Sequence, residues 1–277
     1  MDNVLEVKNL SASWDGQPVL RNISLALHSG ELVCLTGPNG SGKSTLLTLL
    51  AGIKETGLEI ETADELPSFN GKLLIGGLKQ KHCTRKEIAR HISYLTQNET
   101  SSWNYKVRDI VLTGRYSHTG VSGSYSAHDY EVVDSILEEL HISSFADKSI
   151  FSLSGGEFQK VRIARSLAQE PDMLLLDEPV ANLDFGYQAE LLFFIQNLAH
   201  KQNKGILVSI HDLNTAARFA DTLLILSKFK KMNQKQKMVI GKPEEILVPE
   251  ILKSIYGIQF GTFIHPEYKC IQVYTKN

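Results

Sequence analysis

Residues Gly37-Pro38-Asn39-Gly40-Ser41-Gly42-Lys43-Ser44 fit the pattern glycine, any four residues, Gly-Lys-Ser, and Thr45 follows. Glycines at 37, 40 and 42 let a backbone curl until successive N–H groups point inward, which makes a cradle for phosphate oxygens. In such a cradle Lys43 reaches the outer phosphates and the Ser44 hydroxyl holds Mg²⁺. The flanks agree with this chemistry. Apolar Leu32-Val33-Cys34-Leu35 leads in as a strand, and residues 46–51 lead out as a helix whose N-terminus adds partial positive charge. A glycine-rich turn with a chance lysine is the plain alternative, and the strand–loop–helix setting argues against it.

A second constellation is Met173-Leu174-Leu175-Leu176-Asp177-Glu178-Pro179. The apolar residues make a buried strand, and two carboxylates emerge at its end, where the crevices of parallel sheets open. Asp177 suits Mg²⁺, directly or one layer out. Glu178 suits a base that polarises an attacking water. A carboxylate pair at a strand end can also start a helix, but downstream of a phosphate loop the chemical reading is the stronger. The third segment, Leu153-Ser154-Gly155-Gly156-Glu157, exposes backbone N–H groups at a helix start, a second surface for an anion. Ser154 with Glu157 three residues on is also a capping box, and the two readings are compatible.

These residues need elements to hold them. A chain of 277 residues suffices for one large or two modest domains. Residues 4–36 read as short strands, with Ile23, Leu25 and Leu27 alternating against Ser24, Ala26 and His28. A turn is predicted at 15–18, and the helix after the phosphate loop is predicted to end at Gly52. Residues 54–68 are acidic and irregular, a surface insertion. Strand patterning returns at 72–75 and 92–95. From 97 to 170 the pattern turns helical, with Val132, Val133, Ile136, Leu137 and Leu140 at helical spacing. Apolar runs at 173–176, 206–208 and 223–226, with a helix predicted over 187–201, argue for a parallel sheet covered by helices. The basic stretch 228–237 reads as a solvated hairpin.

Composition excludes several classes. The net charge of -2 gives no global attraction to nucleic acid or an anionic membrane. Cys34, Cys83 and Cys270 have no paired spacing, so neither a disulfide framework nor a zinc site is expected and a reducing compartment fits. The start shows no basic segment followed by an apolar one, so no signal peptide is expected. No apolar run approaches the roughly 18 residues of a membrane span, so any membrane role must come through a partner.

Together, the three motifs resemble the ATP-binding subunit of the ABC transporter family. The Gly-Gly segment separates that family from kinases and GTPases. The resemblance runs from about residue 4 to about residue 227 and assigns further positions. Gln97, after Tyr94-Leu95-Thr96, matches the glutamine that couples the ion site to the membrane partner. Asp184 of Asn182-Leu183-Asp184 matches the aspartate that crosses a dimer interface. His211, after Leu207-Val208-Ser209-Ile210, matches the switch histidine near the terminal phosphate. Trp14 takes the place of the aromatic that stacks on adenine, where the family more often has tyrosine and indole offers a larger face. The implied catalytic set is Lys43, Gln97, Glu178 and His211. The implied nucleotide contacts are Trp14, Gly37, Pro38, Asn39, Gly40, Ser41, Gly42, Lys43, Ser44, Thr45, Ser154, Gly155, Gly156, Glu157 and Asp184. Ser44, Gln97 and Asp177 are the implied Mg²⁺ ligands. Departures are few: Glu157 stands where many relatives have glutamine, Asn182 replaces alanine or serine, and 54–68 is a longer connection than usual.

The implied fold is α/β, a phosphate-loop ATPase core with a mixed, largely parallel sheet, an N-terminal antiparallel β portion and an inserted helical subdomain. Its boundaries are 1–227 for the ATPase domain, with the helical insertion at about 98–165, and 228–277 for an extension packed on the same domain. The stretches 112–116 and 211–221 resemble the branch that serves iron-siderophore, haem and cobalamin importers. Plain helix amphipathicity could also produce them, and zinc and manganese importers have similar subunits. The resemblance implies an ATP-hydrolysing subunit that uses ATP and Mg²⁺ and pairs head to tail with a second copy. It implies coupling to integral membrane permease subunits at the cytoplasmic face of the inner membrane, and indirectly to an external substrate-binding protein, with no nucleic acid partner. The alternatives are an ABC ATPase outside transport and a non-hydrolysing regulatory module. Against the first, only one cassette and no sustained heptads are visible; against the second stand Lys43, Asp177, Glu178 and His211.

Overall fold

The structure is a computed structural model, and it describes residues 3–14, 16–53, 68–97, 99, 104–120, 123–228 and 238–276. Asp15 of the predicted turn, the acidic insertion apart from Ser68, and the basic stretch apart from Lys228 lie outside the described residues.

The N-terminal part is an antiparallel sheet. It joins β1 (Asn3–Trp14), β2 (Gln17–His28), β4 (Ser68–Ile75) and the short β5 (Leu78–Lys79) in the order β2-β1-β4-β5. β1 and β2 run 12 residues each, longer than the predicted pieces. The alternation is broken by irregularities after Val7 and Leu10. There Asn9 and Asn22 adopt φ 53° and 56°, and the hydroxyls of Ser24 and Ser11 accept their N–H groups at 2.9 Å. Bulges of this kind interrupt the period of two that a sequence reading follows.

The second sheet joins β3 (Leu32–Thr36), β6 (Ile92–Leu95), β7 (Met173–Leu176), β8 (Gly205–Ser209), β9 (Thr222–Leu226) and β10 (Met238–Gly241) in the order β10-β9-β3-β8-β7-β6. It is parallel except where β10 runs against β9. Its strands are near-continuous apolar runs because both faces are covered. Leu32, Cys34, Leu174, Leu176, Ile206 and Val208 enter one core, while Val33, Leu35, Met173, Leu175 and Leu207 enter the other.

The second of these cores lies against the antiparallel sheet and α1 (Lys43–Leu50), which ends two residues before the predicted Gly52. α2 (Arg85–His91) leads into β6. The first core holds α3 (Val107–Leu112), α4 (Ala127–Glu139) and α5 (Gly155–Ala168), together with α6 (Phe185–Gln202) and α7 (Leu213–Phe219). It also takes in the C-terminal elements α8 (Pro243–Ile246), α9 (Pro249–Tyr256) and the hairpin β11 (Phe260–Ile264) with β12 (Ile271–Thr275). α6 begins two residues earlier than predicted because the Asp184 carboxylate caps it, accepting the Tyr187 N–H at 3.0 Å.

Arg115 pins the helical region. Its guanidinium is buried and donates to Asp129 at 2.9 Å, to the Ala168 carbonyl at 2.7 Å and to Glu170 at 2.6 Å. Burial alone would raise the Asp129 pKa, but hydrogen bonds from Arg115 and Ser126 bring it down to about 2, so the pair stays ionic.

Candidate functional site

Three parallel strands and the glycine loop deliver the site. β3 ends at Thr36 and the chain turns through Gly37, whose φ is 145°. A Cβ there would meet the Leu226 carbonyl at 2.2 Å, so only glycine fits. Gly42 caps α1 at φ 95° with no side-chain acceptor over the first turn. By contrast, α2, α4, α5, α6 and α7 each start under a capping side chain. The bare amides of α1 therefore point at a place suited to an anion. Beside them Lys43 is buried, its Nζ donating to the Gly37 carbonyl at 3.0 Å. Burial lowers its pKa, and the Glu178 and Asp177 carboxylates resist that shift. A sunken cation facing bare amides and two carboxylates matches the needs of a phosphate chain carrying Mg²⁺.

Trp14, the last residue of β1, stands over the start of α1, where its Nε1 donates to the Thr45 hydroxyl at 3.2 Å. This fixes the indole beside the loop.

At the end of β7, Asp177 is buried and accepts a hydrogen bond from the Ser209 hydroxyl at 2.6 Å. The same hydroxyl accepts the Glu178 N–H at 2.8 Å. Glu178 adopts φ 50°, a left-handed conformation unusual for a non-glycine residue. The turn leaves its carboxylate between two partners from other strand ends. Gln97 Nε2 donates to Oε2 at 2.7 Å, and His211 Nε2 contacts Oε1. Behind Asp177, burial drives the Tyr94 hydroxyl up to about 12 and the Thr48 hydroxyl offsets part of that, so the phenol stays protonated.

The structure thus brings Lys43, Gln97, Asp177, Glu178 and His211 to one place. The Gly-Gly segment instead starts α5, with Gly156 facing Tyr187 of α6, and Asp184 caps α6. The capping box is present: Ser154 accepts the Glu157 N–H at 3.3 Å and Glu157 accepts the Ser154 N–H at 2.8 Å. The two glycines differ. A Cβ at Gly156 would press on the Tyr187 ring at 2.9 Å, whereas one at Gly155 would meet nothing within 4 Å. Gly156 makes room for α6, and Gly155 presents open backbone.

Sequence reasoning missed a brace. Gln159 on α5 donates to the Pro179 carbonyl at 2.8 Å, and Arg162 bonds the Gln159 side chain at 2.8 Å and also the Thr96 carbonyl. Glu99 closes the set through Arg162 at 3.2 Å and Arg165 at 2.8 Å. One helix therefore clamps the loops that carry Gln97 and Glu178. The available signal was two arginines three apart on α5, and nothing in the sequence places Glu99 opposite them. Ser209 was also missed, since a serine at a strand end carries no pattern.

A family model described as ABC transporter matches residues 20–181. The chain belongs to the ABC transporter ATP-binding family. This ABC ATPase is 34% identical over 270 residues to the hemin import ATP-binding protein of Bordetella pertussis, covering 95% of each chain. It is 32% identical to the ferric enterobactin transport ATP-binding protein of Escherichia coli, covering 92% of this chain and 88% of that one. Among solved structures, it superposes with TM-score 0.80 and 28% identity on a transporter chain described as of metal-chelate type in an inward-facing conformation. That match covers 99% of this chain and 98% of the other. The α/β fold with its antiparallel N-terminal portion is the ABC cassette fold, and the chemistry of this ABC ATPase is ATP hydrolysis. No helix among the described residues is long and apolar enough to cross a membrane.

Proposed function

We propose that this ABC ATPase drives a bacterial importer of an iron chelate, haem or cobalamin, working as a head-to-tail pair on permease subunits at the cytoplasmic face of the inner membrane. The observation that carries the chemistry is the Glu178 carboxylate gripped by Gln97 and His211 beside buried Lys43. Glu178 orients and polarises the attacking water, and His211 holds that carboxylate and the terminal phosphate. Lys43 and the α1 amides take the charge of the outer phosphates, so catalysis is positioning and charge stabilisation. Trp14 stacks on adenine. Ser44, Asp177 and the amide oxygen of Gln97 supply the hard oxygen donors that Mg²⁺ takes, and Mg²⁺ when bound neutralises phosphate charge. Asp177 stays oriented for this by Ser209.

The second copy completes the nucleotide site. Ser154, Gly155, Gly156, Glu157 and Asp184 serve the nucleotide held by the partner's loop, which fits the open backbone at Gly155. Gly155→Asp adds bulk and negative charge there with no clash inside its own chain. It should leave ATP binding within about twofold and abolish closure and turnover. Equilibrium ATP titration and light scattering check this, and full turnover would leave Gly155 a helix-start residue only. Gly156→Asp is the poorer probe, because it also displaces Tyr187.

The relatives' printed cargoes, hemin and ferric enterobactin, support the cargo class. The test is a deletion strain offered one iron source or cobalamin at a time, with labelled uptake measured. Loss for one chelate, restored by the intact gene and not by Glu178→Gln, is the expected result. A defect confined to zinc, manganese or an unrelated solute would overturn the assignment.

A further inference from the structure

The C-terminal extension reaches the site from behind. α7 has only seven residues, and a helix this short takes its place from tertiary contacts rather than propensity. It begins two residues after His211, with only its cap Asp212 between, so its position sets the imidazole's. Upstream, the Ile210 N–H is tied to the Leu35 carbonyl at 3.0 Å. Downstream, Asp212 caps the first turn, accepting from the Thr215 N–H at 2.7 Å and its hydroxyl at 2.6 Å. That cap shapes the turn without anchoring it to anything else.

At the far end Gln196 of α6 donates to the Phe219 carbonyl at 3.0 Å, and at the first turn Asn214 supplies the anchor to the C-terminal hairpin. Its Nδ2 donates to the Val273 carbonyl at 3.1 Å and its Oδ1 accepts the Val273 N–H at 2.7 Å. One side-chain amide thus pairs both backbone groups of a single β12 residue, as a neighbouring strand would. Gln272 Nε2 returns a bond to the Asn214 carbonyl at 3.3 Å. One turn on, the Arg218 guanidinium lies 3.8 Å from the centroid of the Tyr268 ring, in the turn between β11 and β12. Leu213, Ala216 and Ala217 share a buried cluster with Phe260, Ile271 and Val273.

We propose that Asn214 is a positioning residue for ATP hydrolysis, coupling the C-terminal hairpin to α7 and so holding the His211 imidazole on Glu178. The inference rests on the reading of His211 and Glu178 given above. A displacement of about 1 Å at a reacting group can cost about 100-fold in rate, so loss of this anchor should appear in kcat.

The experiment compares Asn214→Ala, His211→Ala and the double variant, measuring kcat, KM and equilibrium ATP affinity. Asn214→Ala should lower kcat about tenfold, with KM and affinity within about twofold. In the His211→Ala background the same change should cost less than about twofold, because the two residues act in series. Should Asn214→Ala lose its fold, Tyr268→Ala probes the same coupling from an exposed ring. It should lower kcat about threefold, again only when His211 is present. Parental kcat in the folded Asn214 variant, or in Tyr268→Ala where it stands in, overturns the proposal. So does an equal loss with and without His211, which would make the anchor purely structural. If His211→Ala itself turns over at the parental rate, the reading of the site falls and this inference with it.

Discussion

Glu178→Gln should lower turnover by about 100-fold to 10,000-fold while ATP binding persists. The substitution keeps size and shape but removes the charge proposed to polarise water. Its amide also cannot accept at both ends from Gln97 and His211, as the carboxylate does. Lys43, the bare α1 amides and Trp14 are untouched, so the nucleotide should still dock with Mg²⁺. If hydrolysis reopens the proposed pair, the variant should accumulate as an ATP-dependent closed dimer, while the parent should be mainly monomeric without nucleotide or partner. Light scattering with and without ATP reads this directly. A mass that ignores ATP would count against the head-to-tail arrangement, and undiminished turnover would remove Glu178 from the chemistry.

Lys43→Ala should act one step earlier. A charge-assisted hydrogen bond contributes about 1.5–3 kcal/mol, so ATP affinity should fall by about 10-fold to 100-fold and hydrolysis should drop to background. The fold should survive. Alanine is the best helix former, and the Lys43 side chain reaches within the described hydrogen bonds only to the Gly37 carbonyl. Lys43→Arg should not rescue, because a planar fork does not fit a cradle shaped for a point charge. Nucleotide titration, a steady-state ATPase assay and a thermal melt separate binding, chemistry and folding. Hydrolysis at the parental rate in Lys43→Ala would refute the phosphate-loop reading.

The residues behind both predictions were legible in the sequence because their chemistry is local. The Gly37–Ser44 loop needs glycines at fixed short spacing, and the Asp177-Glu178 pair needs only an apolar strand before it. The capping box of Ser154 and Glu157 spans one helical turn. At that range, backbone sterics and hydrogen bonding within a few residues leave little freedom. For Gln97 and His211, resemblance supplied what spacing alone could not.

Tertiary structure decided the rest. Gln97 and Glu178 are 81 residues apart, and they meet because the strand order sets β6 beside β7. Ser209 reaches Asp177 because β8 is the next strand, an adjacency that no periodicity encodes. Gly155 and Gly156 look alike in sequence, and only the position of Tyr187 tells the packing glycine from the open one. The brace of Glu99, Arg162 and Arg165, and the grip of Asn214 on Val273 across 59 residues, depend on which surfaces face one another once both cores are packed. Sequence patterning specifies an element and its buried face over a few residues. Which polar group lies opposite which is set by the sheet order and by the packing of helices on its two faces.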